Sequence, residues 1–137
     1  MPDQTRRPRG VLDTSVLIGI EELDPSRLPI EVAVSAITMA ELAAGPHATN
    51  DPDERARRQD RLQRAEAAFE PLPFDREAAR AYGRIFASVT ASGRQAGGAR
   101  AVDLLIAATA LAAQLPLYTR NFDDFRAFDR LVDVVVV

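Results

Sequence analysis

The chain has 137 residues, 47% of them apolar, which is enough for a single domain over residues 1–137 with one buried core. It contains no cysteine, so disulfides and thiolate metal sites are excluded, and we expect a cytoplasmic protein. We find no apolar run long enough to cross a bilayer or to form a secretory signal. The net charge of −3 argues against a broad basic surface that coats nucleic acid.

The seventeen basic residues are all arginine, and lysine is absent. A GC-rich genome is the simplest cause of this bias, but its chemical consequence holds whatever the cause. No lysine is available as a base, as a Schiff-base former or as a phosphate clamp, whereas arginine is well suited to bidentate phosphate contacts.

The first half of the chain alternates short apolar runs with helical patterns. Residues 10–13 are an apolar run that ends in an acid, which predicts a first strand, and residues 16–20 predict a short helix. Alternating valines predict a second strand over residues 31–35. A helix is expected from about residue 38 to the Gly45-Pro46 pair, and a charged helical pattern follows over residues 53–69.

The second half predicts an extended segment at 71–74, a helix over 75–92 and a flexible loop at 93–98. Residues 101–114 are almost entirely apolar, which predicts a deeply buried helix that carries Asp103. Strands are expected at 115–119 and 132–137, with a polar turn or short helix over 121–128 between them. This alternation of strands and helices predicts an α/β fold whose parallel sheet is covered on both faces.

Acidic residues recur at one predicted edge of this sheet. Asp13 ends the first strand, Glu41 lies in the first turns of the helix after the second strand, and Asp103 lies near the start of the buried helix. Sites in open α/β sheets form beyond the carboxyl ends of the strands. The strand that ends at residue 119 brings three more polar residues to the same edge, namely Asn121, Asp123 and Asp124.

A magnesium-type ion explains why carboxylates would gather there. Hard divalent cations prefer oxygen ligands, and clustered carboxylates repel one another unless a cation neutralises them. Such an ion can activate water and stabilise the charge that develops on a phosphodiester. No histidine is needed for this chemistry, and we expect the sole histidine, His47, to be a surface loop residue.

Each acid also has a purely structural alternative. Asp13 is well placed to cap the helix that follows it. Thr38 and Glu41 match a capping box, with Thr38 as the cap. Asp103 suits the positive end of a helix dipole, and acids at 123 and 124 are commonly solvated turn residues. The convergence of these positions on one sheet edge favours the functional interpretation, because independent structural roles do not require it.

Four motifs together resemble the PIN-domain family, and more narrowly the VapC-type toxins of bacterial toxin–antitoxin pairs. They are VLDTSV at residues 11–16, SxxTxxEL at 35–42, DxxIAA at 103–108 and YTRNxxDF at 118–125. The resemblance extends over essentially the whole chain, in the order typical of the family. It implies a three-layer α/β/α sandwich with a central, mostly parallel sheet, and RNA cleavage that depends on Mg²⁺ or Mn²⁺.

The resemblance also assigns roles to site residues. It implies that Asp13 and Asp103 are the core metal ligands and that Glu41 completes the acidic triad. The family's fourth position, an Asp or Asn, falls on Asn121, whose neutral amide binds a cation less strongly than a carboxylate, and Asp124 is the alternative for that position. Thr14 and Thr38 match the family's polar residues beside the metal.

The family further implies a homodimer and a cognate antitoxin whose C-terminal segment covers the site, often placing an arginine among the acids. A guanidinium meets carboxylates bidentately and competes with the metal. We expect that segment to dock near the apolar helices at 16–20 and 37–44. An RNA-facing surface is expected on the helix that carries five arginines, unless these form a merely solvated face: Arg55, Arg57, Arg58, Arg61 and Arg64.

Two other functions compete with the nuclease interpretation of this sequence. Phosphoaspartyl proteins, such as receiver domains and haloacid-dehalogenase-type phosphatases, also place an aspartate at a strand end beside magnesium, but they normally require a lysine, which this chain lacks. A degenerate PIN-like module that binds RNA or a partner without cutting is the second rival. The intact Asp13, Glu41 and Asp103 argue against it, whereas the amide at Asn121 leaves it open.

Overall fold

Four parallel strands form one sheet within the residues that the computed structural model describes, which are 6–94, 97 and 100–137. The strands are β1 (Arg9–Leu12), β2 (Glu31–Val34), β3 (Leu117–Thr119) and β4 (Val134–Val136). Their order across the sheet is β2-β1-β3-β4, and every pair is parallel. The predicted parallel sheet is therefore confirmed, with β1 as an inner strand.

Within these described residues, five α-helices connect and cover the strands: α1 (Thr14–Ile18), α2 (Ala36–Ala44), α3 (Pro52–Ala68), α4 (Arg76–Ala91) and α5 (Arg100–Ala113). Short 3-10 turns extend some of these elements, and two of them, Phe122–Asp124 and Arg126–Phe128, follow β3. The predicted loop at 93–98 falls partly on residues 95, 96 and 98, which lie outside the described residues. In the described part of the chain, no helix is both long enough and apolar enough to span a membrane.

The two faces of the sheet belong to two separate apolar clusters. Val11 on β1 packs in the cluster formed with α4 and α5, whereas its neighbour Leu12 packs in the cluster formed with α1, α2 and α3. The paired strands repeat this alternation, since Leu117 opposes Val11 and Tyr118 opposes Leu12. Successive side chains of a strand point to opposite faces. The three-layer α/β/α arrangement is thus confirmed.

Helix α2 begins two residues earlier than the sequence indicates. Its N-cap is Ser35, whose Oγ accepts a hydrogen bond from the Thr38 amide at 3.0 Å. The predicted capping box, with Thr38 as the cap, is therefore wrong: Thr38 lies inside the first turn and is fully buried. Both residues are good N-caps, and the packing of Thr38 beneath α1 decides between them.

The last two strands are shorter than predicted, for local reasons. Pro116 has no amide hydrogen for the sheet, and β3 begins at the next residue. The amide of Val132 donates to the Phe128 carbonyl at 3.2 Å, so this residue belongs to a turn and β4 begins only at Val134. The predicted extended segment at 71–74 is present, with Leu72 in a parallel bridge to Ser35.

We predict opposite stability effects for alanine at two glycines. A Cβ on Gly10 of β1 would overlap the ring of the buried Tyr118, with Cδ1 at 2.9 Å, whereas a Cβ on Gly83 of α4 would meet no atom of the described residues within 4 Å. Gly10→Ala should therefore lower the free energy of unfolding by roughly 1–3 kcal/mol through overpacking. Gly83→Ala should raise it by about 1 kcal/mol because alanine is the better helix former. Urea denaturation measures both, and a neutral Gly10→Ala would contradict the packing described here.

Candidate active site

Asp13 is the first residue after β1 and the N-cap of α1, and it is buried. Its Oδ1 accepts hydrogen bonds from the Ser15 hydroxyl at 2.8 Å and from the Val16 amide at 2.9 Å. Oδ2 has no hydrogen-bond partner among the described residues, and no polar side-chain atom there is both fully buried and unbonded. Oδ2 therefore faces open space, so capping the helix and offering an oxygen to a ligand are compatible roles for this residue.

A cavity of about 300 Å³ lies at the carboxyl edge of the sheet, and we call it the acidic cavity. The five residues predicted as catalytic all line it, and so does Thr14, whereas Thr38 lies behind this wall. The full lining consists of Asp13, Thr14, Ser15, Ile18, Glu41, Asp103, Thr119, Asn121, Asp124 and Phe125. His47 lies elsewhere, exposed on the turn after α2.

A chain of hydroxyl groups runs from the buried start of α2 to Glu41. Ser35 Oγ donates to Thr38 Oγ1 at 3.3 Å, Thr38 and Thr14 share a hydrogen bond of 3.0 Å, and Thr14 donates to Glu41 Oε1. Each hydroxyl has only one proton to donate. Because Thr14 gives its proton to Glu41, Thr38 must be the donor to Thr14. The chain therefore has one direction and presents a donor to the Glu41 carboxylate.

Asp103 lies in the first turn of α5 and is partly buried. Burial, as the largest cause, raises the pKa of this carboxyl from 3.8 to about 6, and the negative charges of Asp124, Asp13 and Glu41 act in the same direction. Arg100 opposes them. A helix dipole alone would lower the pKa of an acid at this position, so burial and like charges outweigh it.

The two candidates for the fourth position differ in their contacts. Asn121 caps the turn after β3, and its Oδ1 accepts a hydrogen bond from the Asp123 amide at 3.2 Å. Asp124 lies 3.5 Å from the Arg100 guanidinium and, of the neighbouring acids, contributes most to the raised pKa of Asp103. Asp124 is thus the charged group of the pair that acts on Asp103.

The acidic side chains line the cavity without closing on one point. Within residues 6–94, 97 and 100–137, no group of three or more acidic or histidine side chains has the arrangement that holds a metal ion. The donor set nevertheless suits magnesium, since carboxylate oxygens are its protein ligands and it usually takes only one or two of them, with water and substrate phosphate completing the shell.

The sequence interpretation missed the groups that hold the acids in place. Ser15 and Ser35 lie within the sequence motifs without a predicted role of their own, yet Ser15 orients Asp13 and Ser35 begins the hydroxyl chain. Arg100 has no predicted role either, although it lies three residues before Asp103 and pairs with Asp124. A cation one helical turn from an acid on an otherwise apolar helix is the signal that would have identified it.

The chain matches known proteins along almost its whole length. The sequence pattern of the PIN domain matches residues 10–131. Ribonuclease VapC5 of Mycobacterium tuberculosis is 40% identical over 131 residues, which are 93% of this chain and 93% of that protein.

Solved structures of similar proteins also match the chain over most of its length. The crystal structure of VapBC-5, from the VapBC family of toxin–antitoxin systems of Mycobacterium tuberculosis, matches with a TM-score of 0.83 at 40% identity, over 95% of this chain and 99% of that one. FitAcB from Neisseria gonorrhoeae matches with a TM-score of 0.68 at 28% identity, over 90% and 94%. The chain therefore belongs to the PIN-domain family and, within it, to the VapC-type ribonucleases of toxin–antitoxin systems.

Proposed function

We propose that this protein is the toxin of a toxin–antitoxin pair and that it hydrolyses RNA phosphodiester bonds in a reaction that depends on Mg²⁺ or Mn²⁺. The observation that carries the proposal is the acidic cavity, which is lined by four carboxylates and one amide from α1, α2, α5 and the turn after β3. Family membership supports RNA as the substrate, since the relative from Mycobacterium tuberculosis is named a ribonuclease.

Asp13, Glu41 and Asp103 are the residues proposed to hold the metal, one or two of them directly and the others through bound water. Asp13 is held by two donors to Oδ1 and offers Oδ2, while Asp103 has no hydrogen-bond partner among the described residues. Burial, and after it the repulsion of the neighbouring acids, raises the pKa of Asp103, and a divalent cation would relieve that repulsion. When bound, the ion supplies an activated water and neutralises charge on the phosphodiester.

The surrounding residues orient these acids. Thr14 donates to Glu41 and is backed by Thr38, so the Glu41 carboxylate keeps one orientation toward the cavity. Arg100 holds Asp124 at the opposite wall, and we assign the fourth position to Asp124. Asn121, whose Oδ1 already caps the turn, is left with its amide group to orient a water or a phosphate oxygen.

RNA cleavage by the purified, antitoxin-free protein tests the proposal. Cleavage should require Mg²⁺ or Mn²⁺ and stop with EDTA, and Asp13→Ala should abolish it because one ligand is removed.

Calorimetric Mn²⁺ titration should show a larger loss of affinity for Asp124→Asn than for Asn121→Ala, since a carboxylate binds a cation more strongly than an amide does. Cleavage that survives both Asp13→Ala and Asp103→Ala would show that the site assignment is wrong.

Asp103→Asn should make the fold more stable although it removes a residue proposed to hold the metal. The folded-state pKa of about 6 exceeds the unfolded value, so ionising Asp103 costs stability progressively as the pH rises from about 4 to about 6. At pH 7 in EDTA, the neutral variant should gain about 1–2 kcal/mol, less than the full pKa difference implies because the side chain is partly exposed. Thermal unfolding across this pH range measures the gain.

The control for this experiment is Asp129→Asn, which removes the same charge from an exposed turn. It should leave the unfolding profile unchanged. A gain of equal size in both variants would indicate a general charge effect, and no gain in Asp103→Asn would mean that the carboxylates of the cavity do not strain the fold.

An antitoxin segment is the proposed inhibitor, and an apolar groove beside the acidic cavity is its proposed docking site. The groove holds about 400 Å³, and its apolar lining consists of Leu17, Ile18, Ile20, Ala65, Ala68 and Phe69. Ile18 lines both this groove and the acidic cavity. An apolar helix seated in the groove therefore reaches the carboxylates with an arginine, and the similar VapBC-5 structure comes from such a toxin–antitoxin family.

Ala68→Glu is expected to weaken antitoxin binding by at least tenfold, because it places a charged side chain in the groove. Ala67→Glu is the matched control, since Ala67 is exposed on the same helix but does not line the groove. Surface plasmon resonance with the purified antitoxin measures both, and RNA cleavage by either variant should equal that of the wild type. Equal affinity of both variants for the antitoxin would exclude this groove as the docking site.

We also propose that the protein is a homodimer, and light scattering measures its oligomeric state.

A further inference from the structure

A second cavity, of about 370 Å³, adjoins the acidic cavity on the side of α3. The two cavities share Thr14, Ile18 and Glu41 in their walls. The second cavity is also lined by Arg58, by Glu54, which pairs with Arg58, and by Arg61, and we call this cavity the arginine pocket. A polymer that leaves the acidic cavity past Glu41 therefore enters the arginine pocket next.

The five arginines of α3 are not equivalent. Four have an acceptor among the described residues: Arg55 on the carbonyl oxygens of residues 46 and 49, Arg57 and Arg58 on Glu54, and Arg64 on Asp60. Arg58 is held further by the Gly45 carbonyl at 2.9 Å. Arg61 is partly buried, yet it has neither a hydrogen bond nor an ion pair within the part of the chain that the structure describes.

An unpaired guanidinium next to an acidic site has a clear electrostatic use. Four carboxylates line the acidic cavity, and among the described residues only Asp124 is paired there with an arginine. A polyanion is repelled by such a site unless cations beside it hold the neighbouring phosphates. Of the two arginines that line the adjoining pocket, Arg61 is the one without an acceptor in the part of the chain that the structure describes, and guanidinium groups match phosphate oxygens bidentately.

We propose that Arg61 binds a backbone phosphate of the RNA, next to the phosphodiester that is cut. The inference rests on the proposed function and adds to it a substrate subsite and the direction in which the strand leaves the acidic cavity. An acidic side chain of the antitoxin is the other group with the chemistry to fill this pocket. We favour the RNA because the pocket is continuous with the cavity in which the phosphodiester must lie.

Steady-state cleavage of an RNA that the wild-type protein cuts, measured over a range of salt concentrations, tests the subsite. Arg61→Gln should raise KM about tenfold with kcat little changed, since a contact to a phosphate that does not itself react binds the ground state and the transition state equally. The slope of log KM against log salt should fall by about 0.7, the value for one phosphate contact on a single strand. Arg61→Lys should restore most of the slope.

Arg64→Gln is the matched control, because it removes the same charge from the same helix but lies outside the arginine pocket. It should leave KM and slope unchanged, and Mn²⁺ affinity should be unchanged in both glutamine variants. If the wild-type protein cuts RNA but Arg61→Gln has the same KM and salt slope, or has a lower kcat instead of a higher KM, the subsite assignment is wrong and the proposed function stands. A wild-type protein that cuts no RNA overturns the proposed function as well. Because Arg61 also lines the proposed antitoxin groove, weaker antitoxin binding with unchanged RNA kinetics would assign Arg61 to the antitoxin and overturn the subsite.

Discussion

The parallel pairing of β1 with β2 and β3 is the constraint on which the rest of the structure depends. Leu12 stands opposite Val34 on one side and Tyr118 on the other, so the residues that follow these three strands emerge at one edge of the sheet. Parallel strands need helical crossovers, and these crossovers bring the helices that carry Glu41 and Asp103 to the same edge. The acidic cavity is therefore a consequence of strand order and register.

The same arrangement lowers the stability of the fold, because it places a carboxylate of the site against the core. A core would be more stable without a partly buried carboxylate on α5, and the raised pKa of Asp103 records that cost. Donors stabilise the other three acids of the cavity: Ser15 and the Val16 amide hold Asp13, Thr14 holds Glu41, and Arg100 pairs with Asp124. Asp103 alone of the four lacks such a donor among the described residues. A divalent cation would be the partner that its environment favours.

The sequence predicts the fold and the position of the acids because these follow from local signals. Asp13 ends an apolar run, and Asp103 interrupts an apolar helix, so both are recognisable without any contact information. The start of α2 is different, since Ser35 and Thr38 are equally good caps and only the packing of Thr38 against Thr14 separates them. The choice between Asn121 and Asp124 likewise depends on Arg100, which the fold brings near from another element.

The special position of Arg61 also lies beyond sequence reasoning. The partners of Arg57 and Arg58 follow from helical spacing to Glu54, but whether Arg61 meets an acceptor depends on how α3 lies against α1 and α2. Five arginines on one charged helix have the same pattern in the sequence, whether they face solvent or substrate. Only the adjoining cavities distinguish them.

The most direct test of the central claim, that a divalent cation neutralises the acidic cavity, is an NMR titration of the Asp103 side-chain carboxyl with and without Mg²⁺. Without the ion, the carboxyl should titrate with a pKa of about 6. With saturating Mg²⁺, its pKa should fall below the ordinary value for aspartate, because a bound cation favours the charged form. A pKa that is the same with and without Mg²⁺ would contradict the account.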